Sequence, residues 1–224
     1  MKLYTTKGIV FNFIKYKETS IICKVFTETF GVRSYMIKGV RKKKATLALY
    51  QPLTQLELLV SEQETRDIQQ VRDVRVQYAY ASIPFEIKKT SIGLFLAEIL
   101  YKSVREENPQ PLLYTFVTDS FCIFDTMDAQ AENFHLQFLL KLPAFLGFGM
   151  EEGATLFGQT GQLLIPDRSS DQIVNQLLQE PYGTPCLLNG YIRRQLLQHL
   201  LRFYALHVEN FGRVRSLDVL QNIF

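Results

Sequence analysis

The chain has no tryptophan, only three cysteines and three histidines among its 224 residues, and no apolar run long enough to span a bilayer. Each shortage closes off a class of chemistry. Cys23, Cys122 and Cys186 lie far apart with no C-x-x-C pair, so neither a disulfide framework nor a zinc knuckle is spelled out. His135, His199 and His207 all fall in stretches of helical periodicity without a third ligand at metal spacing, which points to exposed or hydrogen-bonded structural roles. No G-x-x-x-x-G-K-[ST] phosphate loop occurs, and Gly147-Phe148-Gly149 opens no helix of a βαβ unit. Asp67 with Asp73, and Glu151 with Glu152, are not distinguished from ordinary surface acids, and no nucleophile is accompanied by a base and an orienting partner. The expectation is a protein that is not an enzyme, with no catalytic residues, no cofactor and no metal. A membrane-spanning helix needs about 18 or more apolar residues, and the opening Met1-Lys2-Leu3-Tyr4-Thr5-Thr6-Lys7 lacks the apolar stretch of a signal peptide. A cytoplasmic protein with no membrane contact is therefore expected.

Acidic residues are scarce at one end. Residues 1–50 carry eleven Lys or Arg against two acids, Glu18 and Glu28, for a charge of +9. The whole chain sums to only +3, so the remainder holds −6. Such lopsidedness places a basic surface for a polyanion in the N-terminal part.

From Lys7 to about Val76 apolar residues recur at the two-residue period of half-buried strands. Ile9, Phe11 and Phe13 alternate with Val10, Asn12 and Ile14; Ile21, Cys23 and Val25 alternate with Ile22, Lys24 and Phe26. Gly31 marks a turn, a third strand covers Val32 to Gly39, a fourth holds Leu56, Leu58 and Val60, and a fifth Ile68, Val71, Val74 and Val76. Five short strands suit a closed barrel that leaves no sheet edge exposed. An OB-fold fits, and a five-stranded SH3-like barrel fits the same spacings nearly as well.

Beyond Tyr78 the period becomes helical. Helices are expected over Ile87 to Val104, around Leu113 to Phe124, over Phe134 to Phe148 with an interruption at Pro143, over Ser170 to Leu178, and from the N-cap Asn189 to Gly212. Residues 147–168 hold five glycines and little periodicity, and read as a long loop or a small irregular subdomain, an insertion placed around 149–168. The fold class is thus α+β: a five-stranded barrel, of OB or SH3-like kind, at 1–79, followed by an all-helical domain at 80–224.

The chemistry concentrates where the third strand ends. Lys38 leads through Gly39-Val40 into four consecutive cations, Arg41, Lys42, Lys43 and Lys44, with Lys15, Tyr16, Lys17, Arg33 and Tyr35 nearby in the barrel pattern. Clustered cations bind phosphates by releasing condensed counterions, without reading sequence. Interleaved rings let unpaired bases stack, so Tyr16 and Tyr35 are the expected stacking residues and the cations the expected phosphate contacts. The same run of cations is also what a solvated loop carries, and Tyr35 also suits the barrel core. On the last helix Arg193, Arg194 and Arg202 lie by the polar side of an apolar stripe and form a candidate surface for an acidic or carboxylate-ended peptide. The rival to DNA binding is an interaction scaffold whose basic loop holds an acidic protein partner; a metal-dependent nuclease using scattered acids ranks third.

Several stretches together resemble the recombination-mediator family RecO: Thr6-Lys7-Gly8-Ile9-Val10, Thr19-Ser20-Ile21-Ile22-Cys23-Lys24-Val25-Phe26-Thr27, Phe30-Gly31-Val32 with Lys38-Gly39-Val40-Arg41, and Gln51-Pro52-Leu53-Thr54-Gln55-Leu56-Glu57-Leu58. Leu139 to Phe148 is similar to that family's helix ending in LLGY, and Arg213-Val214-Arg215-Ser216-Leu217 to its closing segment. Single- and double-stranded DNA are both expected ligands, and the resemblance implies an N-terminal OB-fold, a helical C-terminal domain, and DNA repair by annealing of single-stranded DNA. It further implies partnership with RecR, with the tail of single-stranded-DNA-binding protein and, indirectly, with RecA. Many members of that family carry a four-cysteine zinc site after the LLGY helix. Residues 149–168 here contain no cysteine, so packing is expected to hold that segment instead.

Overall fold

A computed structural model describes residues 2–40, 44–63, 65–163 and 169–223, with the side chains of Lys44 and Ala45 also outside the description. Five strands come first: β1 (Lys2–Tyr16), β2 (Ser20–Thr27), β3 (Gly31–Ile37), β4 (Gln55–Glu62) and β5 (Ile68–Tyr78). A short helix, α1 (Lys44–Ala48), lies between β3 and β4. The long β1 serves two neighbours. Its first half pairs with β4, Lys2 opposite Glu62 to Ile9 opposite Gln55, and its second half pairs with β2, ending with Tyr16 opposite Ser20. An irregularity in the β1–β2 register between Val10 and Asn12 lets the strand bend from one partner to the other. A simple meander would continue from β3 to β4. Instead β5 lies between them, parallel to β3 through Ser34–Ile68 and Met36–Gln70 and antiparallel to β4, and the order β1-β2-β3-β5-β4 closes a barrel. That crossover is the Greek-key order of an OB-fold and sets aside the SH3-like alternative.

The barrel interior is filled by Val10, Ile21, Cys23, Val25, Tyr35, Leu56, Leu58 and Val60, joined in the same core by Tyr50 from the segment after α1. Each such aliphatic side chain contributes about 1.5–3 kcal/mol by leaving water. Gly31, at the β2–β3 turn, has φ of +66°, and a Cβ there would lie 2.4 Å from the Asn108 carbonyl oxygen. Only glycine fits both constraints.

The helices are α2 (Ile87–Ser103), α3 (Pro111–Thr126), α4 (Phe134–Lys141), α5 (Pro143–Leu146), α6 (Gly153–Thr160), α7 (Ser170–Gln179), α8 (Gly190–His207) and α9 (Leu217–Ile223). The chain forms two compact units, one of residues 1–80 with 93–118, the other of 81–92 with 119–224. Part of the helical region thus falls in the same unit as the strands. The reason is visible in the first unit: Val32 N–H donates to the Glu106 carbonyl at 2.9 Å, Gln55 donates to the Thr118 carbonyl at 3.2 Å, and the Phe26 and Tyr114 rings meet edge to face. The facing ends of α2 and α3 complete the barrel's apolar packing, which strand periodicity alone does not reveal.

The second unit is built on stacked rings. Phe124 and Phe134 lie 4.1 Å apart and nearly parallel, with Phe121, Phe138 and Tyr182 around them, and the Tyr204 hydroxyl donates to the Leu139 carbonyl at 3.0 Å. The Asp125 carboxylate accepts from the backbone N–H groups of Ala81, Ser82 and Ile83 at 2.8–2.9 Å, while the ammonium of buried Lys89 donates to the Ser82 hydroxyl and the Asp125 carbonyl. The interruption expected at Pro143 is there, dividing α4 from α5. Two expectations are corrected. Helix α8 starts from Asn189, whose Oδ1 accepts the Ile192 N–H at 2.8 Å, but it ends at His207 rather than near Gly212. A turn at 208–211 folds Phe211 back onto Tyr204, ring centroids 5.7 Å apart, so a turn buries Val208 and Phe211 where their spacing read as helix. The segment 149–168 is not a loop throughout, since α6 lies inside it. Its glycines let backbones approach: a Cβ on Gly153 would lie 2.8 Å from Asp171 Cα, and Gly153 N–H donates to Asn175 Oδ1. Residues 164–168 lie outside the described part.

Candidate nucleic-acid interface

Pleating sorts the side chains of β3 before any ligand is considered. Arg33, Tyr35 and Ile37 share the inward parity; Ser34 and Met36 point out, with Lys38 continuing their row beyond the strand. Tyr35 is fully buried, and its hydroxyl donates to Glu62 Oε1 at 2.8 Å. Burial, then the adjacent Glu62 charge, push that phenol far above its ordinary range. A ring so enclosed cannot stack on a base, and the stacking role expected of Tyr35 is corrected. Arg33 is drawn the same way. Its guanidinium lies 3.7 Å from Glu62 and 3.4 Å from Glu107, so it is engaged by carboxylates rather than standing on a phosphate track.

The remaining described residues converge. Lys15 lies opposite Ile21, and Ile21 lies opposite Ile37, so the β1–β2 turn and the end of β3 share one end of the barrel. Two strand spacings of about 4.8 Å separate them. Exposed Lys15 and Lys17, half-buried Tyr16 and exposed Lys38 all stand at that end. The Lys17 ammonium is 5.5 Å from the centre of the Tyr16 ring, an arrangement that leaves aromatic surface and cation side by side. Arg41, Lys42 and Lys43 lie outside the described residues, as does the side chain of Lys44, whose backbone opens α1. The chain leaves for that segment from Val40, buried in the barrel core at 2% exposure.

Residues that the sequence reading passed over complete the face. Ile14 opposes Ile22, Ile22 opposes Met36, and Met36 opposes Gln70, forming an outward row across four strands. Ile14 is 58% exposed, large for an isoleucine in a barrel wall. A second row holds Asn12, Lys24, Ser34 and Ile68, with the Lys24 ammonium 3.4 Å from the Ser34 hydroxyl. The signal for these positions was in the alternation itself: if Cys23 and Tyr35 fill the barrel, Ile22, Lys24, Ser34 and Met36 must face out.

In the second unit Arg193 is half-buried and already engaged. Its guanidinium donates to Asn133 Oδ1 at 3.1 Å and to the Leu188 carbonyl at 2.8 Å, holding the entry to α8. Arg194 and Arg202 are exposed. The histidines are accounted for within this unit: His199 bonds to Thr160 Oγ1 at 2.9 Å, His207 to Gln159 Oε1 at 2.7 Å, and His135 is enclosed, burial and then the Arg193 charge lowering its pKa to about 3. The segment 149–168 offers no thiolate, so its residues do not fit a four-cysteine zinc site. Among the described residues no helix is long and apolar enough to cross a membrane.

Comparison with known proteins bears on both units. Residues 1–80 match the family model of the recombination protein O N-terminal domain, and residues 84–152 that of its C-terminal domain. DNA repair protein RecO of Christiangramia forsetii is 34% identical over 238 aligned residues, covering 99% of both chains. The protein of the same name from Bacteroides fragilis is 32% identical with the same coverage, and that of Flavobacterium psychrophilum 30% identical over 98% of each chain. The chain belongs to the RecO family of DNA repair proteins.

Proposed function

We propose that this protein binds single-stranded DNA on the outer face of its barrel, without breaking a bond, and anneals complementary strands as a recombination mediator. The observation that carries this reading is the strand register that brings Lys15, Tyr16, Lys17 and Lys38 to one end of the barrel, beside an outward row of Ile14, Ile22 and Met36. Cations there neutralise phosphates, Tyr16 offers a stacking surface, and the aliphatic row accepts the apolar faces of unpaired bases. Annealing then needs only that two strands be neutralised close together so that complementary bases meet. Arg41, Lys42, Lys43 and Lys44 extend the phosphate contacts in this reading, double-stranded DNA binds through phosphates alone, and Arg194 and Arg202 serve a protein partner. RecR and the tail of single-stranded-DNA-binding protein are the proposed partners, with RecA loaded as the outcome, on the strength of family membership. The work is placed in the cytoplasm.

The test is a fluorescence titration of single- and double-stranded oligonucleotides across a salt series. For single strands each phosphate contact contributes about 0.7 to the slope of log affinity against log salt. The Lys15→Ala, Lys17→Ala, Lys38→Ala triple variant is expected to flatten the slope by about 2. An unchanged slope removes this end of the barrel from the interface. Displacement of the oligonucleotide by an acidic peptide as readily as by DNA of equal charge would move the assignment to a protein partner.

A further inference from the structure

A cleft of about 320 Å³ opens beside β3 and the β4–β5 loop, lined by Tyr4, Phe30, Arg33, Glu62, Gln63, Arg66, Asp67, Gln69 and Glu107, and none of these residues belongs to the basic end described above. Its walls are built. The Tyr4 and Phe30 rings meet edge to face with centroids 5.4 Å apart, and both are half-exposed. Glu62, Arg33 and Glu107 form a carboxylate–guanidinium–carboxylate chain, anchored from behind by the Tyr35 hydroxyl. The β4–β5 loop is clamped by one buried amide: Gln69 donates to the Gln63 and Arg66 carbonyls at 2.8 and 2.7 Å and accepts the Gln63 N–H at 2.9 Å. Aromatic surface with a few placed polar groups and a volume of this order can hold a small planar ligand. Among the described residues that line it, carboxylates outnumber guanidiniums three to two, and Glu62 and Glu107 already share Arg33.

We infer that this cleft takes one unstacked nucleobase of the bound strand, and that it favours bases presenting N–H donors on their Watson–Crick edge, guanine above all. The inference rests on the proposed binding of single-stranded DNA. Guanine offers two adjacent donors, N1–H and the 2-amino group, which one carboxylate accepts together, while its O6 and N7 accept from a guanidinium. Asp67 and Glu107 are the exposed carboxylates of the lining and Arg66 the exposed guanidinium, and the Tyr4 and Phe30 rings supply the stacking surface. The cleft also borders the outer face, because the loop that lines it leads directly into Ile68, the partner of outward-facing Ser34. Bound phosphates would avoid these acids, so the strand's backbone stays on the cations and only a base turns in.

The experiment compares an alternating dT/dG 20-mer with an alternating dT/dI 20-mer at several salt concentrations, using the full chain. The two strands differ only by the 2-amino group. About fivefold tighter binding of the dG strand is expected, within the range for one bidentate base contact, with equal salt slopes. The Asp67→Ala, Glu107→Ala variant changes two exposed side chains and should erase the preference for the dG strand over the dI strand. Equal affinity of the two strands for the unaltered protein, or a preference that survives in the variant, overturns the cleft assignment and leaves the DNA-binding reading standing. Absence of binding to either strand at low salt overturns both.

Discussion

Tyr35 and Tyr16 lie on strands separated by β2, yet one is fully enclosed and the other only half-buried. Tyr35 positions the half-buried Glu62 carboxylate, and Tyr35→Phe leaves that oxygen without its donor. The expected cost is about 1–3 kcal/mol, read as a lower urea midpoint, with the affinity for an oligo-dT strand unchanged. Loss of DNA affinity at constant stability would return Tyr35 to the interface. Two carboxyls, buried Asp125 and half-buried Glu62, give opposite pH signatures. Burial alone would raise Asp125, but hydrogen bonds from the Ile83, Ala81 and Ser82 amides and the Ser82 hydroxyl outweigh it and hold the group below 3.8. A depressed folded pKa means stability that is complete above the unfolded value and lost as pH falls through the folded one. Asp125→Asn should therefore flatten the acid limb of the stability profile below about pH 4. Glu62 works the other way. Burial raises it above 4.5 despite the Tyr35 hydroxyl and Arg33, so its contribution declines as pH rises from the ordinary glutamate value through the raised one.

At the scale of elements, starts and ends are set by single side chains. Asn189→Ala removes the acceptor for the Ile192 N–H and should destabilise α8 by about 1 kcal/mol, measured by thermal or urea unfolding. A change under 0.3 kcal/mol would show that the Arg193 contacts with Asn133 and Leu188 suffice to hold the helix entry. The C-terminal end of α7 is held from a different helix: the Lys141 ammonium donates to the Leu178 and Glu180 carbonyls at 2.8 and 2.9 Å, where the last carbonyls of a helix lack partners of their own. Gly31→Ala is the severe case. The left-handed backbone and the close approach of the Asn108 and Glu106 carbonyls both reject a methyl group, so the variant should lose several kcal/mol or fail to fold.

For the whole molecule, the modest net charge of +3 conceals a basic barrel end and an acidic remainder. DNA binding is thus expected to be strongly salt-dependent despite near-neutrality, since affinity follows the local count of phosphate contacts. Replacing Arg41, Lys42, Lys43 and Lys44 with alanine should weaken single- and double-stranded binding together and flatten both salt slopes. A slope that stays put would assign those four cations to solvent.

Period-two alternation from Lys7 to Val76 was enough to indicate five strands, because a strand buried on one face must place every second residue in the core. Helical spacing, Pro143 and the Asn189 cap marked most helices by equally local physics. The basic end was legible as well, since Lys15, Lys17 and Lys38 are charged wherever the chain folds. Other features depended on partners distant in sequence. Whether Arg33 faces phosphate or Glu107 is decided by the α2–α3 connection arriving at β3, and the fate of Tyr35 by Glu62 meeting it across the barrel. The β3–β5 pairing that makes the barrel an OB-fold is likewise a contact between segments more than thirty residues apart. Local sequence carries periodicity and charge; only the closed barrel determines which charges are left for a ligand.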